Sequence, residues 1–439
     1  MTRKIIFISL FGLLNLTGFS QTFDRGKLDN YFLALEKSGK FMGSVALSEA
    51  GKIIYTKSIG FSDIDKKTKP DENTKYRIGS ISKTFTSVLV FKAIEQKKLS
   101  LETTLDKYFP SIKNANKITV SNLLNHRSGI HNFTNDESYL KWNTEKKTEK
   151  EMLQIIEKGG SDFEPGSKAD YSNSNFVLLS YILQKAYKKS YSKLLTEIIT
   201  KPIGLKNTFV GDKINLQNNE SNSYKFLTNW EKETETDMSI PMGAGAVVST
   251  PGNLTKFAEA LFNGKIITLK SVDLMKTLKD NYGMGLFQIP FGDKKSFGHT
   301  GGIDGFSSVF GYFPNEKISF ALTSNGSNYN NNNISIVLLS AIFNKPYEIP
   351  DFKIYELTTN DLDKYLGIYS SKEIPLKITV TKNDKVLMAQ ATGQSAFSLE
   401  ATDKNRFIFI QAGIILEFNP ADNKMILRQG GKTYAFTKE

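Results

Sequence analysis

The 439-residue chain contains no cysteine. This absence excludes disulfide bonds, a thiolate nucleophile, cysteine-based zinc sites and a lipid attached to an N-terminal cysteine. Histidine is also scarce: the chain has 3, and they form no metal-ligand pattern such as H-E-x-x-H. The sequence therefore predicts no metal site and no cofactor.

The chain also lacks a basic tract, although its formal net charge is +12. Its lysines are scattered, with doublets such as Lys66-Lys67 and Lys97-Lys98 but no longer cluster. Nucleic-acid binding needs a basic patch together with an element that reads the bases, and neither is visible. We interpret the charge as a solvated basic surface and predict no nucleic-acid partner. Attraction to anionic cell-envelope polymers is a further hypothesis.

Long apolar runs are missing except at the N-terminus. There, Ile5–Leu16 follows a short basic segment and precedes small residues that would suit cleavage between Ser20 and Gln21. The run is short against the ~20 residues that a helix needs to cross a bilayer, which argues against the alternative of an uncleaved anchor. We therefore expect residues 1–20 to be a signal peptide, the mature protein to be periplasmic or secreted, and no stable membrane span.

The next part of the chain, residues 21–345, mixes helix and strand patterns. Gly43–Asp63 reads as two strands around a turn, residues from about 80 to 260 are mostly helical, and strand character returns in Tyr282–Asn325. Strands at both ends of the region would pair in one antiparallel sheet, with the helical part inserted between them. The pattern predicts an α/β (α+β) domain with helices flanking that sheet.

The last part of the chain changes character. A proline-containing linker at 346–355 precedes residues 356–439, where short alternating strands are separated by polar turns without a long helix. The strand patterns are Leu376–Thr381, Lys385–Thr392, Arg406–Gln411, Ile414–Phe418 and Met425–Gln429. This pattern predicts a small all-β domain, either an up-and-down barrel or a sandwich. An asparagine-rich stretch before the linker, Asn328–Asn333, is interpreted as a mobile loop.

Ser80 and Lys83, in the segment RIGSISKTFT, form an S-x-x-K string. The string alone is weak evidence for a catalytic site, because a helix-capping serine followed by a solvent-facing lysine gives the same pattern. It also occurs twice elsewhere, at Ser138/Lys141 and Ser190/Lys193. Ser80 differs because Gly79 permits a tight turn directly before an amphipathic helix pattern.

This placement gives Ser80 and Lys83 chemistry that the other two strings lack. A serine at a helix start lies among free backbone N–H groups, which favour a developing oxyanion. Residues i and i+3 share a helix face, so the Lys83 amine points towards the Ser80 hydroxyl. Burial would lower the pKa of Lys83 from its ordinary ~10.4 and make the amine a usable base.

Two further strings follow in order. Tyr171-Ser172-Asn173 precedes a hydrophobic helix pattern, and His299-Thr300-Gly301 lies in a glycine-rich strand context. The ordered set S-x-x-K, Y-x-N and K/H-T-G resembles the class C β-lactamase and DD-peptidase family of serine acyl-transferases. Segments similar to that family cover about residues 25–345, and the C-terminal β-domain resembles the lipocalin-like modules appended to some members.

The resemblance implies roles for the first two strings. Ser80 would be the nucleophile and Lys83 its activating base. Tyr171 would relay protons to and from the leaving group, with its pKa lowered by the neighbouring Lys83 cation. Asn173 would position the substrate amide and hold Lys83.

The third string would bind substrate. The resemblance implies an oxyanion hole made by the backbone N–H groups of Ser80 and Gly302, with Thr300 and Gly301 on the strand along which the substrate lies. His299 departs from the Lys that β-lactamases of this class usually carry. A histidine of ordinary pKa is only partly charged at pH 7 and anchors a substrate carboxylate less strongly, which disfavours efficient β-lactam turnover.

The sequence thus predicts an exported serine hydrolase that forms an acyl-enzyme on Ser80. The favoured activity is a peptidase or carboxypeptidase acting on D-amino-acid-containing or peptidoglycan-like peptides. A carboxylesterase or class C-like β-lactamase is the first alternative, and a penicillin-binding sensor that acylates without turnover is the second. The partners would be a small peptide, ester or β-lactam, with a homo-oligomer as an open possibility. His126 is expected to have a structural role at a helix end, and His131 is expected to be a loop residue.

Overall fold

The computed structural model describes residues 23–352 and 355–439. The predicted signal peptide therefore lies outside the described residues, and so do two positions of the predicted linker. Within the described ranges, no helix combines the length and the apolar character needed to span a bilayer. The domain boundaries proposed from the sequence stay predictions.

The described residues contain both helices and strands. The helices are α1 (Arg25–Lys37), α2 (Ser82–Glu95), α3 (Val120–Leu124), α4 (Tyr139–Trp142), α5 (Glu149–Gly159), α6 (Asn173–Tyr187), α7 (Tyr191–Leu194), α8 (Met242–Gly245), α9 (Pro251–Phe262), α10 (Leu269–Lys276), α11 (Asn331–Ile342) and α12 (Thr359–Leu362). The first strands are β1 (Phe41–Glu49), β2 (Lys52–Ile59), β3 (Tyr76–Arg77), β4 (Phe209–Val210), β5 (Tyr224–Phe226), β6 (Trp230–Lys232), β7 (Val247–Ser249), β8 (Phe287–Phe291), β9 (Lys294–Ile303), β10 (Phe306–Phe313) and β11 (Ile318–Ser327). The remaining strands are β12 (Gly367–Ser370), β13 (Lys377–Asn383), β14 (Val386–Ala391), β15 (Phe397–Asp403), β16 (Arg406–Phe409), β17 (Ile414–Asn419), β18 (Lys424–Gln429) and β19 (Lys432–Lys438).

The main sheet has six antiparallel strands in the order β2-β1-β11-β10-β9-β8. Its centre joins the two ends of the domain, since Val45 of β1 lies opposite Leu322 of β11. One face packs against α9, and the other packs against α1 and α11. The predicted antiparallel sheet with a helical insertion is confirmed.

Helix α2 is more deeply buried than its sequence pattern indicates. The sequence predicts an amphipathic helix with one inward face, yet residues 82–91 are all buried. Two of its threonines are hydrogen-bonded to the backbone of neighbouring segments: Thr84 Oγ1 donates to the Gly285 carbonyl at 2.8 Å, and Thr86 Oγ1 donates to the Gly243 carbonyl at 2.7 Å. Because small hydroxyl groups can be buried when they are hydrogen-bonded, α2 serves as the central helix of the domain.

The asparagine-rich stretch is only partly a loop. Helix α11 begins at Asn331, and the Asn330 side chain accepts a hydrogen bond from the Asn332 backbone N–H at 2.9 Å. Asparagine is a favoured N-cap residue because its side-chain oxygen satisfies a free N–H group of the first turn. The interpretation of the whole stretch as a mobile loop was therefore wrong.

The C-terminal strands β12 to β19 form a closed eight-stranded barrel in which each strand pairs with its neighbour in sequence. The prediction of an up-and-down barrel is confirmed, although the strand patterns identified in the sequence missed β12, β15 and β19. Closure follows from pairing of β12 with β19. The barrel contacts the first domain through an ion pair between Lys40 and Glu400, and Asn328 Nδ2 donates to the same carboxylate at 2.9 Å.

Candidate active site

Ser80 lies in a single 3₁₀ turn, Gly79–Ile81, that leads directly into α2. Gly79 has a φ of +49°, and a Cβ at that position would come within 2.7 Å of the Gly302 backbone nitrogen. A side chain there would meet both a left-handed backbone and a neighbouring strand, so the position requires glycine. The turn leaves Ser80 partly exposed at the helix start, where the sequence placed it.

Lys83 is completely buried beneath Ser80. Its Nζ lies 2.9 Å from Ser80 Oγ, 2.7 Å from Asn173 Oδ1 and 2.8 Å from the Ala244 carbonyl oxygen. Burial holds the pKa of Lys83 well below its ordinary value. A neutral amine has two protons to donate to the two carbonyl-type oxygens, which leaves its lone pair for the proton of the Ser80 hydroxyl.

Tyr171 covers the other side of this lysine. Lys83 Nζ lies 4.8 Å from the centre of the Tyr171 ring, and the ring stacks on His126 with centroids 4.4 Å apart. Burial raises the pKa of Tyr171, although a hydrogen bond with Ser80 opposes the shift. The expected lowering of the Tyr171 pKa by a Lys83 cation was wrong, because removal of the phenol from water has the largest effect and raises this pKa.

Asn173 begins α6 and holds the lysine in place. Its Oδ1 faces Lys83, its Nδ2 donates to Thr134 Oγ1 at 3.0 Å, and its backbone N–H donates to Asn132 Oδ1 at 3.0 Å. These contacts fix the amide orientation, since only the oxygen can accept from the amine. Asn173 therefore lies where it can hold Lys83, one of the two roles that the family resemblance implied.

The third string, His299-Thr300-Gly301, lies on the outer edge of β9. Strand β8 pairs with β9 only as far as Gly298, so within the described residues no strand covers the β9 edge from His299 to Ile303. The inner side of this segment touches the nucleophile turn: a Cβ on Gly301 would lie 2.0 Å from the Ile78 carbonyl oxygen. Thr300 and Gly302 are exposed. The edge thus offers free backbone groups beside Ser80.

His299 is buried, with a relative exposure of 2%, and packs against Phe287 with ring centroids 4.6 Å apart. Burial, together with the nearby Lys83, lowers the pKa of His299 to about 3. Its Nδ1–H donates to the Thr300 carbonyl oxygen. The sequence led us to expect a partly charged histidine at pH 7, whereas the structure shows a neutral one.

A cleft of about 380 Å³ opens above Ser80, with Asn173 and Gly302 among its lining residues. One rim is apolar and includes Phe133, Tyr139 and Leu140, of which Leu140 is 78% exposed. The polar lining residues include Thr234, Thr236 and Asp304. The cleft therefore contains the reactive group, an apolar surface and hydrogen-bonding groups.

Ser190 and His126 have local structural roles. Ser190 caps α7 by accepting from the Lys193 backbone N–H at 3.3 Å, the capping role that the sequence left open. His126 is buried after α3, where its Nδ1 accepts from the Ser172 N–H at 3.1 Å. In the described part of the chain, no cluster of three or more histidine, aspartate or glutamate side chains could hold a metal ion.

Sequence reasoning missed two features of the site. The Ala244 carbonyl, an acceptor for Lys83, carries no side-chain signal and could not have been found. The ion pair between Arg77 and Asp304, buried at one end of the cleft, could have been suspected, because both charged residues lie beside motif residues.

Comparison with known proteins agrees with this geometry. The family model described as Beta-lactamase matches residues 29–339. Penicillin-binding protein 4* of Bacillus subtilis (strain 168) is 24% identical over 424 residues, covering 90% of this chain and 93% of that protein. Teichoic acid D-alanine hydrolase of Staphylococcus aureus is 26% identical over 336 residues, covering 73% and 79%. The crystal structure of D-amino acid amidase from Ochrobactrum anthropi SV3 superposes with a TM-score of 0.63 at 26% identity, covering 72% of this chain and 99% of that one.

Proposed function

The chain belongs to the Beta-lactamase family, and from this premise we propose that it is a serine hydrolase that forms an acyl-enzyme on Ser80. The observation that carries the proposal is the buried Lys83, whose Nζ lies 2.9 Å from Ser80 Oγ and whose pKa burial holds well below its ordinary value. A lysine outside a catalytic site is normally exposed and charged, and its burial beside a serine hydroxyl makes it a general base.

In the acylation step, Lys83 Nζ takes the hydroxyl proton while Ser80 Oγ attacks the substrate carbonyl carbon. The tetrahedral oxyanion would be held by the backbone N–H groups of Ser80 and Gly302, which adjoin at the contact between the 3₁₀ turn and β9. Collapse of the intermediate breaks the bond to the leaving group, which takes up a proton through the Tyr171 hydroxyl. Tyr171 can donate this proton because burial keeps its phenol protonated, and the phenolate then regains a proton from the Lys83 ammonium, so that both groups return to their starting states before deacylation.

The acyl-enzyme is then hydrolysed by water. The same base accepts a proton from the water molecule, the second tetrahedral intermediate uses the same oxyanion donors, and Ser80 Oγ leaves and regains its proton. The overall reaction consumes one water and releases an acid and an alcohol or amine. Turnover thus requires that water reach the ester carbonyl in the cleft.

We infer that the substrates are esters or amides of D-amino acids, D-amino-acid peptides included. The supporting observations are the neutral His299, which offers no cation to a substrate carboxylate, and the apolar rim beside Ser80. Relatives named teichoic acid D-alanine hydrolase and D-amino acid amidase are similar to most of the chain. Carboxylate-bearing substrates such as penicillins and terminal D-Ala-D-Ala would then react less well than uncharged esters and amides.

The test is intact-mass analysis and turnover with four reagents: a fluorophosphonate, a penicillin, a D-Ala-D-Ala peptide and D-alanine esters and amides. We expect a stoichiometric fluorophosphonate adduct, turnover of the D-alanyl compounds and weak or slow reaction with penicillin. Ser80→Ala should abolish all of them. Labelling or turnover that persists in Ser80→Ala would refute the mechanism, and a long-lived penicillin adduct without any turnover would identify a sensor.

We also propose that the protein is exported, on the support of the N-terminal basic and apolar pattern. In an expressing bacterium the mature protein should begin at Gln21, which N-terminal mass analysis of the purified protein would determine. An intact N-terminus in the cell-envelope fraction would indicate an anchor instead.

A further inference from the structure

Arg77 and Asp304 form an ion pair at one end of the cleft. Arg77 Nη1 lies 2.8 Å from Asp304 Oδ2, and both side chains are only 3% exposed. Arg77 precedes the nucleophile by three residues in the sequence, and Asp304 follows Gly302 by two. The pair therefore connects the two segments whose backbone N–H groups would form the oxyanion hole.

The hydrogen-bonding groups around the pair are almost fully used. Asp304 Oδ1 accepts from the Thr236 N–H at 3.0 Å and from Thr236 Oγ1 at 2.6 Å. Arg77 donates in addition to the carbonyls of Thr236 and Asp212, at 3.0 and 2.9 Å, and to Glu235 Oε2 at 3.2 Å. Because the planar guanidinium has donors in fixed directions, this arrangement has one geometry. Neither charge is left to bind substrate.

The contact between the two oxyanion segments contains almost no side chains that could fix their spacing. It is formed by Gly79 against Gly302 and by Gly301 against the Ile78 carbonyl. Ser308 Oγ of β10 lies beside this contact, 2.8 Å from the Ile78 carbonyl oxygen and 3.5 Å from the Gly301 carbonyl oxygen. Glycines allow the close approach but do not resist sliding of one backbone past the other. The Arg77–Asp304 pair joins the two segments directly through one charged side chain from each.

We propose that the Arg77–Asp304 ion pair is a positioning device that sets the separation of the Ser80 and Gly302 N–H groups and so the width of the oxyanion hole. The inference rests on the proposed acyl-enzyme function. Oxyanion donors act only within about 2.7–3.1 Å of the developing charge, so a small displacement weakens transition-state binding more than substrate binding. The pair thus acts on the acylation rate without touching the reacting atoms.

The test uses Asp304→Asn, which keeps the side-chain shape and the oxygen that accepts from Thr236, and Arg77→Lys, which keeps the charge but loses the fork. Both are assayed for hydrolysis of a D-alanine ester, with active sites titrated by fluorophosphonate. We expect kcat to fall about 10–100-fold with KM changed less than about threefold. Affinity for a boronic acid that mimics the tetrahedral intermediate should weaken by the same factor as kcat/KM.

The matched control is Lys40→Gln, which breaks the Lys40–Glu400 pair at the barrel and should leave kcat per titrated site unchanged. Wild-type kcat and boronate affinity in both Asp304→Asn and Arg77→Lys, or a rise in KM alone, would overturn the inference. If Asp304→Asn does not fold, the result with Arg77→Lys decides. Failure of the proposed function is distinguishable, because the wild-type protein would then show no turnover that depends on Ser80.

Discussion

Replacement of Gly301 by alanine tests the close contact between β9 and the nucleophile turn. A Cβ at this position would lie 2.0 Å from the Ile78 carbonyl oxygen and 2.6 Å from Ser308 Oγ. An ordinary contact needs about 3.4 Å, so relief of the clash with Ile78 requires a displacement of about 1.4 Å between the strand and the turn. This displacement is large compared with the tolerance of an oxyanion hole.

A misplacement of about 1 Å can cost 10²-fold in rate, and loss of one oxyanion donor costs about 10²–10³-fold. We therefore expect Gly301→Ala to slow Ser80 acylation at least about 10²-fold, or about 2.7 kcal/mol in activation free energy. The assay is the second-order rate of fluorophosphonate labelling, followed by intact mass. Thermal unfolding measured in parallel shows how much folded protein is present.

The neighbouring Gly302 is the matched control. A Cβ there meets nothing closer than 3.9 Å, and its N–H group is retained in alanine. Gly302→Ala should therefore label within about tenfold of the wild-type rate. Labelling of Gly301→Ala at the wild-type rate, or equal losses in the two variants, would refute the argument that the oxyanion donors require this close approach of β9 to the turn.

Three further predictions concern individual side chains of the site. Lys83→Met should slow labelling of Ser80 about 10²–10⁴-fold. In the wild type, the labelling rate should reach its plateau well below pH 10.5, because burial lowers the pKa of Lys83 and only the neutral amine accepts a proton. A labelling midpoint near pH 10.5 would contradict this prediction. Tyr171→Phe keeps the ring that stacks on His126 but loses the hydroxyl. The kcat for an amide substrate should therefore fall about 10²–10⁴-fold, while the midpoint of thermal unfolding changes little. An unchanged kcat would exclude a proton relay through Tyr171. His299→Lys adds a cation and should raise the ratio of penicillin acylation to uncharged-ester acylation about tenfold, the effect of one charge-assisted hydrogen bond. Competition labelling measures this ratio. An unchanged ratio would show that the residue at this position does not bind a substrate carboxylate.

The sequence was sufficient to predict elements whose pattern is local. The β1–β2 hairpin was identified from alternation around a glycine turn, and α2 from its helical spacing after Gly79. The order of the three motif strings, together with the family resemblance, predicted which residues would lie near Ser80. Asn173 and Lys83 do meet, with 2.7 Å between Oδ1 and Nζ.

Charge states in the site could not be predicted in the same way, because they depend on burial from distant segments. The pKa values of Lys83 and His299 are both lowered because the surrounding elements exclude water from these side chains. The sequence shows neither this exclusion nor its effect on Tyr171, whose pKa rises where a fall was expected. Distant segments also explain why β12 was missed in the sequence. This strand is short, and its pairing with β19 at the closure of the barrel makes it a strand.

Pairing of the central strands has a consequence for synthesis of the protein. Val45 and its partner Leu322 are separated by 277 positions, 322 minus 45. At about 5–20 residues per second, a ribosome needs roughly 14–55 s to pass from one to the other. During that interval β1 has only β2 beside it, and its other edge is open to wrong partners. Nascent chains stalled before β11 should therefore resist fluorophosphonate labelling, and the first labelled length would mark completion of the catalytic domain.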